Sequence, residues 1–221
     1  MTASVREPIR LLVFAGSMRE ESLNGKLARL AARVITDHQG IATLATMKDF
    51  ECPSYDGDLE VTSGIPEGAA RFRDALNAAN AFVICSPEYN AAMPGVLKNA
   101  IDWASRYRPQ PFSEKHGLLM SASPSMIGGN RGLWSLRVPL EHLGANIYPE
   151  MFSLAQAHQS LDGDGELVNG ELAKRFESTL VNFLDLVEAA THYPCVKHAW
   201  VENLGANPDP AFDRIDSAPT P

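Results

Sequence analysis

Short apolar segments of strand length alternate with segments of helical periodicity along most of this chain, five times in succession. Such alternation predicts a parallel sheet covered by helices on both faces, because parallel strands need crossover connections. The predicted strands are 10–16, 41–47, 81–85 and 115–121, with a fifth that opens at 146–148. The predicted helices are 24–38, 66–80, 95–106, 131–143 and 171–191. The fold class is therefore α/β, with three layers.

Polar loops follow the first, third and fourth predicted strands. Right-handed crossovers and ligand loops at these positions favour a five-stranded sheet in the order 2-1-3-4-5, with a crevice beside the first strand. The segment 50–65 is rich in Pro, Gly, Ser and Asp, which predicts a long surface loop. The segment 162–170 is predicted to be a turn or a hairpin-like insertion.

The chain divides into a predicted domain at 1–191 and a C-terminal tail at 192–221. A length of 221 residues suits one large domain with such a tail. Five prolines interrupt the tail, which predicts mostly irregular structure, with Trp200 as the side chain that packs on the domain.

Charge, hydropathy and cysteine usage exclude several classes of function. The net charge of −8 argues against a nucleic-acid surface, which needs a basic stripe. No segment approaches the roughly 20 apolar residues of a membrane helix, and no secretory signal is predicted. The six histidines show no metal-ligand spacing, so no metal site is predicted. The three cysteines, Cys52, Cys85 and Cys195, form no CxxC pair, which predicts free thiols in a reducing cytoplasm.

The turn 16–24 follows the first predicted strand and precedes a helix. Ser17, Ser22 and Asn24 supply hydrogen-bonding side chains, and Arg19 supplies a planar cation that can hold two phosphate oxygens. The free N–H groups and positive dipole end of a helix also attract phosphate. The alternative is ordinary helix capping by Ser and Asn. The turn contains a single glycine and no G-K-[ST] ending, so a mononucleotide is favoured over a dinucleotide as the ligand.

A second polar loop, Pro87-Glu88-Tyr89-Asn90, follows the third predicted strand. Its backbone and Asn90 could meet the polar edge of a flat heterocycle, and Tyr89 could cover the ring. The alternative is a β-turn with Pro at its second position and Asn at its last. In the helix that follows, Lys98 and Asp102 are spaced to pair on the surface, and Trp103 is expected to pack in the core.

A third loop, 121–131, is rich in serine and contains two adjacent glycines. Gly128 and Gly129 would let the backbone approach a ligand closely, and the hydroxyls of Ser121 and Ser123 add donors. A plain connection between a strand and a helix is the alternative.

Together these motifs resemble the NADPH-dependent FMN reductase family of the flavodoxin-like fold, which includes FMN, quinone, azo-dye and chromate reductases. The family's first motif, G-S-x-R-x-x-S-x-N, is matched at 16–24. Its second, P-E-Y-N followed by P-G-x-L-K-N-A-I-D-W, is matched at 87–90 and 94–103. Its third, a serine at a strand end, then Gly-Gly and a helix with L-R, is matched within 121–137. The likeness spans about residues 9–190.

The resemblance implies FMN as the bound cofactor and NADPH or NADH as the hydride donor. Ser17, Arg19, Ser22 and Asn24 would hold the phosphate, 87–90 would line the isoalloxazine ring, and 121–129 would close the ring's other side. No catalytic acid or base is expected, because the isoalloxazine carries the chemistry. The full set of implied FMN-binding residues is Gly16, Ser17, Arg19, Ser22, Leu23, Asn24, Pro87, Glu88, Tyr89, Asn90, Ser121, Ser123, Gly128 and Gly129.

The expected activity is hydride transfer from NAD(P)H through FMN to a small acceptor such as free flavin or a quinone, with ping-pong kinetics. Three alternatives stay open: a quinone, azo or nitro-compound reductase with permanently bound FMN, a flavodoxin-like electron carrier or flavin-binding subunit, and a family member that binds no flavin. The resemblance also implies a homodimer or homotetramer, with 95–106 and 131–143 as candidate contact helices. Residues 91–93 depart from many relatives, which carry another aromatic residue or a glycine there.

Overall fold

A sheet of parallel strands runs through the middle of residues 7–192, the part of the chain that the computed structural model describes. The strands are β1 (Arg10–Ala15), β2 (Ile41–Thr46), β3 (Ala81–Cys85), β4 (His116–Ala122), β5 (Asn146–Ile147) and β6 (Phe152–Leu154). The helices are α1 (Leu23–Asp37), α2 (Gly57–Ser63), α3 (Glu67–Asn77), α4 (Gly95–Ala104), α5 (Asn130–His142), α6 (Ala157–Ser160) and α7 (Gly170–His192), and a 3₁₀ turn spans Met47–Phe50.

The strand order β2-β1-β3-β4-β5 confirms the predicted order, and every named pair is parallel. Because β1 lies between β2 and β3, the direction of the crossovers reverses beside β1. In sheets of this kind ligands bind at such a switch point, outside the carboxyl ends of the strands. The loops after β1, β3 and β4 therefore meet at one edge of the sheet.

Successive side chains of the central strands enter two separate cores. Leu11 and Val13 pack on one face with α1 and α7. Leu12 and Phe14 pack on the other face with α3, α4 and α5. All five residues of β3 are buried. Burial on both faces explains why these strands are continuous apolar runs rather than alternating ones.

The predicted surface loop at 50–65 is corrected by the structure, because it contains α2. Asp56 caps this helix by accepting a hydrogen bond from the Asp58 backbone N–H at 2.8 Å. Asp58 and Glu60 lie in the first turn, where the helix dipole favours negative charge. The helix buries none of its residues, so no apolar periodicity in its sequence reveals it.

The fifth strand differs from the prediction as well. It is divided into β5, which pairs with the start of β4, and β6, which pairs with its end. The sheet therefore has six strands rather than five. Pro149 lies between the two segments, and a proline cannot donate the ladder hydrogen bond that a continuous strand requires there.

Helix α4 holds the chain that follows the 3₁₀ turn. The Asn99 side chain donates to Pro53 O and accepts from Tyr55 N, both at 2.8 Å. The buried Trp103 indole also donates to Pro53 O, at 2.8 Å. Lys98 pairs with Asp102 at 2.7 Å on the helix surface. These contacts confirm the structural roles predicted for Lys98, Asp102 and Trp103.

The last predictions concern the insertion at 162–170 and the C-terminal part of the chain. An antiparallel bridge between Leu161 and Leu167 confirms the hairpin-like insertion. Helix α7 continues to His192, the last described residue, so the predicted tail with Trp200 lies outside the described residues. None of the helices within 7–192 is long and apolar enough to cross a membrane.

Candidate functional site

The ends of β1, β3 and β4 are joined directly by backbone hydrogen bonds at the edge where the three polar loops begin. Gly16 N donates to Cys85 O at 3.0 Å, and Ser86 N donates to Met120 O at 2.8 Å. A side chain at position 16 would place its Cβ 3.0 Å from a Leu97 methyl group, so only glycine fits there without movement. These contacts hold the strand ends in place at the bottom of the crevice between the first two loops.

The loop after β1 leads into an uncapped helix N-terminus. Ser22 is the N-cap of α1, but its hydroxyl makes no capping hydrogen bond. The first turn contains no acidic residue, so its free N–H groups are not compensated by a carboxylate there. Ser17 and Ser22 are buried, and Leu23 begins the helix with its side chain against the core. This donor set fits a phosphate group.

Arg19 is exposed at the outer end of the same loop. Its backbone N–H donates to the Ser17 hydroxyl at 3.3 Å, which bends the loop locally. Within residues 7–192 its guanidinium has no hydrogen-bond or ion-pair partner. The side chain is therefore available to a ligand.

The side chain of Asn24 is held at the end of β4, and its role as a phosphate ligand stays a prediction. Its Nδ2 donates to Ala122 O at 2.8 Å, and its Oδ1 accepts from Ala122 N at 2.9 Å. The oxygen and one of the two amide hydrogens are therefore committed to the end of β4. Asn24 ties the first loop to the third, and its second amide hydrogen and its backbone N–H in the first turn of α1 remain for a ligand.

The second loop forms a tight turn between Tyr89 and Ala92. Tyr89 N donates to Ala92 O at 2.9 Å, and Ala92 N donates to Tyr89 O at 3.1 Å. The two residues between them, Asn90 and Ala91, have φ values of 51° and 62°. These left-handed residues, rather than Pro87, reverse the chain, so the alternative of a β-turn with proline at its second position is wrong. Pro87 is buried, whereas Tyr89 is 50% exposed at the tip.

Glu88 joins this second loop to α5. Its Oε2 accepts a hydrogen bond at 3.1 Å from the backbone N–H of Gly132, in the first turn of α5. Two residues past the turn, Met93 N donates to the Ser135 hydroxyl at 2.7 Å. A Cβ at Gly132 would lie 3.1 Å from Glu88 Cα, which is tighter than ordinary packing. The carboxylate of Glu88 therefore fixes the loop to α5 and is not free to face the ring of a ligand.

The third loop contains a buried hydroxyl without a partner. Ser121 is fully buried at the end of β4, and its Oγ makes no hydrogen bond. A Cβ at Gly129 would lie 2.0 Å from this Oγ. Ser123 is less buried, and its hydroxyl bonds to Ser125 at 3.1 Å. Because a buried hydroxyl normally has a hydrogen-bond partner, the hydroxyl of Ser121 is available to a ligand.

Backbone conformation and close packing within the protein explain why glycines occupy positions 128 and 129. Gly128 and Gly129 have φ values of 67° and 84°, which side chains other than glycine rarely adopt. A Cβ at Gly128 would also lie 2.9 Å from Ala155 N. Gly128 therefore lies close to the backbone at 153–155 of the same chain, and the predicted approach of the two glycines to a ligand stays a prediction.

Titratable chemistry is sparse at this edge of the sheet. Cys85 is fully buried at the end of β3, and burial raises the pKa of its thiol well above the ordinary range. Between residues 7 and 192, no group of three His, Cys, Asp or Glu side chains is arranged to hold a metal ion. The site offers hydrogen bonds and positive charge, which suit a nucleotide.

Sequence reasoning missed the residues that hold the loops together. Gly132, Ser135 and the backbone of Ala122 each bind a loop residue that is at least 42 positions away in the chain. The match of L-R in the third motif gave no signal for Gly132 or Ser135.

Comparison with known proteins connects this geometry to a family. The family model described as NADPH-dependent FMN reductase matches residues 9–159. An NAD(P)H-dependent FMN reductase of Pseudomonas aeruginosa is 34% identical over 176 residues, which cover 79% of this chain and 92% of the relative. A quinone reductase of Escherichia coli is 35% identical over 141 residues, which cover 64% of this chain and 74% of the relative.

The structure of a known flavoenzyme is also similar to this chain. The flavoenzyme NAD(P)H:(acceptor) oxidoreductase FerB of Paracoccus denitrificans superposes with a TM-score of 0.69 at 27% identity. The match covers 81% of this chain and 97% of that protein.

Proposed function

The chain belongs to the NADPH-dependent FMN reductase family and is an FMN-dependent oxidoreductase, and from this premise we propose that the crevice between the loops after β1, β3 and β4 is its FMN site. The phosphate binds at the N-terminus of α1, with Ser17, Arg19 and Ser22 as side-chain donors. The ring lies along 87–90, with the hydroxyl of Ser121 as a buried partner. Gly16 and Gly128–Gly129 provide backbone for the pocket.

The observation that carries this proposal is the N-terminus of α1. The hydroxyl of Ser22 at the N-cap makes no capping hydrogen bond, and the first turn has no carboxylate. The guanidinium of Arg19 has no partner among the described residues. A helix end that lacks both a cap and a counter-charge is favourable for an anion. The unpartnered hydroxyl of Ser121 supports the same crevice independently.

FMN, when bound, supplies the hydride-accepting and electron-donating chemistry, so the protein needs no acid or base of its own. The residues bind and orient. Asn24 keeps the phosphate loop in register with the end of β4, and Glu88 keeps the second loop against α5. Tyr89, exposed at the tip of its turn, borders the open side where donor and acceptor exchange. One shared access side would give ping-pong kinetics, with NADPH or NADH as donor and a small oxidant such as a quinone or free flavin as acceptor.

The test is FMN affinity together with turnover. Arg19→Ala should weaken FMN binding by roughly 1.5–3 kcal/mol, the scale of hydrogen bonds to a charged group, which corresponds to about 10- to 150-fold in Kd. Quenching of FMN fluorescence during titration measures this. Lys174→Ala, which removes an exposed cation on α7, is the matched control and should leave the Kd within about twofold. An Arg19→Ala protein that holds FMN as tightly as the parent would contradict the phosphate assignment.

Turnover separates the reductase from the remaining alternatives. The purified, FMN-loaded protein should oxidise NADPH when given a quinone or free FMN and no other protein. An electron carrier would show almost no such oxidation. A member that binds no flavin would stay colourless after addition of FMN.

The proposal includes a homo-oligomer assembled through α5. Trp134 and Val138, one helical turn apart on α5, are 57% and 69% exposed, and Met126 in the preceding loop is 75% exposed. Large exposed apolar side chains grouped next to a site mark a contact surface. Helix α4, the other candidate, uses Asn99 and Trp103 to hold the chain at 53–55. Light scattering should report a dimer or larger, and Val138→Asp should dissociate it, whereas Val61→Asp on α2, at a valine that is 86% exposed, should not.

A reducing compartment is also part of the proposal. Cys52 and Cys85 are both free thiols in the described part of the chain. Unpaired cysteines are usual in the cytoplasm, which supports a cytoplasmic location.

A further inference from the structure

A cavity of about 110 Å³ lies on the other side of the phosphate loop, between α1 and the edge strand β2. Its position is at the carboxyl ends of β1 and β2, which are adjacent strands about 4.8 Å apart. Its floor is apolar and its rim is cationic. The floor is formed by Ala28, Leu44 and Ala45, and the rim by Arg19, Arg29 and Lys48.

Arg29 is the central feature of this rim. Its Nη1 lies 3.7 Å from the position that a Cβ would take at Gly25, so the guanidinium folds back over the first turn of α1. Helical side chains point toward the N-terminus of their helix, which explains this direction. The glycine leaves the space that the guanidinium occupies. Within residues 7–192, Arg29 has no ion-pair partner.

Positive charge exceeds negative charge around the cavity. Lys48 pairs with Glu20 at 2.8 Å, and Glu20 is the single carboxylate among the lining residues. Because Arg19 is assigned to the FMN phosphate, Arg29 and Lys48 against Glu20 leave one positive charge in excess when FMN is bound, in a chain whose net charge is −8. An excess of this kind on an acidic protein favours an anionic ligand, and arginine favours phosphate in particular.

The apolar floor extends beyond the cavity. A neighbouring groove of about 450 Å³ shares Leu44 and Arg29 with it and continues along α1 and β2. Leu44 is 47% exposed at this junction, on an edge strand that carries no charged residue. The base of a nucleotide could lie flat on Leu44. The planar guanidinium of Arg29 could then either cover the base or bind the phosphate of the same nucleotide.

We propose that this cavity binds the adenosine 2′-phosphate end of NADPH, with the phosphate on Arg29 and Lys48 and the adenine over Leu44. The proposal rests on the proposed function, because the nicotinamide end must reach the flavin in the adjoining crevice. The 2′-phosphate is the group that distinguishes NADPH from NADH. Arg29 and Lys48 would then determine the specificity for the hydride donor, a role that no family motif in this chain carries.

The experiment uses FMN-loaded protein and the probe 2′,5′-ADP, with 5′-AMP as the matched probe that lacks the 2′-phosphate. Calorimetry should show that 2′,5′-ADP binds the parent protein at least tenfold more tightly than 5′-AMP. Arg29→Met and Lys48→Met should each remove most of this difference. In steady-state assays, the preference for NADPH over NADH in kcat/KM should fall about tenfold. Lys174→Met on α7 is the control and should change neither ratio.

Three results would overturn the proposal. The first is unchanged 2′,5′-ADP binding in both variants. The second is equal loss for NADPH and NADH, which would assign the cations to a phosphate that both nucleotides share. The third is inorganic phosphate binding as tightly as 2′,5′-ADP, which would make the cavity a bare anion site. Failure of the proposed function would be distinct: 2′,5′-ADP would still bind in an Arg29-dependent way, while the protein oxidised neither nucleotide.

Discussion

The side-chain amide of Asn24 and the backbone of Ala122 exchange two hydrogen bonds, of 2.8 and 2.9 Å, across 98 positions of the chain. Asn24 lies in the first turn of α1, and Ala122 ends β4. Both residues are nearly inaccessible to solvent. The pair therefore links the phosphate loop to the loop that begins at Ser121, so the two sides of the crevice share one anchor.

Asn24→Ala should be strongly destabilising. It leaves the N–H and C=O of Ala122 without partners in a buried position, which costs about 1–3 kcal/mol for each group. We expect the free energy of unfolding to fall by about 2–5 kcal/mol in urea titrations of the FMN-free protein. The FMN affinity should fall as well, because the loops lose their common register.

Asn80→Ala is the control for this change. The Asn80 side chain accepts one hydrogen bond from Arg10 N at 2.7 Å, at the opposite end of the sheet. Its loss should cost about 1 kcal/mol and leave FMN affinity unchanged. Equal effects of the two substitutions on FMN affinity would show that Asn24 has no special role in the crevice.

The central strands and the strand order could be predicted because burial on both faces leaves a local signature. Leu11, Leu12, Val13 and Phe14 are all fully buried, so no polar residue interrupts the run. The helices that cover the sheet show apolar periodicity for the same reason. In β2, by contrast, most side chains are exposed, so burial on both faces leaves no such signature there.

The contacts that assemble the site could not be predicted in this way. Glu88 and Gly132 are 44 positions apart, and nothing in either local sequence indicates the other. The same holds for the position of the tight turn, which depends on left-handed backbone at Asn90 and Ala91 rather than on the proline before it. Motifs located the loops, but only the three-dimensional packing determines which polar groups remain free for a ligand.

Gly129→Ala should destabilise the third loop. Alanine in left-handed backbone costs about 1–2 kcal/mol, and the new Cβ would lie 2.0 Å from Ser121 Oγ. We expect a loss of at least about 2 kcal/mol in the free energy of unfolding. Because the clash is with a hydroxyl, Ser121→Ala in the same chain should recover part of it, so the two changes will not be additive in urea titrations. Strict additivity would contradict the contact, and Gly57→Ala, which meets nothing within 4 Å, is the control.

Ala91→Gly should stabilise the protein. Ala91 has φ of 62° at the tip of an exposed two-residue turn, where asparagine followed by glycine is the preferred pair. Relief of about 1–2 kcal/mol of backbone strain exceeds the extra entropy of glycine in the unfolded chain, for a net gain of about 0.5–1 kcal/mol. Thermal and urea unfolding measure the gain. Ala92→Gly, outside the left-handed region, should instead lose stability, and a loss in both variants would contradict the strain.

Asp49 should make stability depend on pH in the acidic range. Hydrogen bonds from the backbone N–H and hydroxyl of Thr46, at 2.7 and 2.8 Å, lower the pKa of the Asp49 carboxyl, and Arg71 adds to the effect. Between this lowered pKa and the unfolded value of about 3.9, the unfolded chain binds the extra proton, so stability falls as the pH falls. Asp49→Asn should cost about 1 kcal/mol at pH 7, and the difference from the parent should shrink below about pH 4. A difference that stays constant from pH 7 to pH 3 would contradict the ionised cap.

Glu88→Ala should weaken FMN binding without direct loss of an FMN contact. Its carboxylate accepts the Gly132 N–H at 3.1 Å, and removal of this acceptor frees the loop at 87–93 from the first turn of α5. An ordering cost of about 1 kcal/mol, roughly fivefold in the Kd for FMN, should appear in fluorescence titrations. Glu88→Gln keeps an acceptor oxygen at the same place and should restore most of the affinity. Ser135→Ala removes the neighbouring tie to Met93 N and should act in the same direction. If Glu88→Gln were as weak as Glu88→Ala while Ser135→Ala had no effect, the negative charge itself, rather than attachment of the loop to α5, would be the role of Glu88.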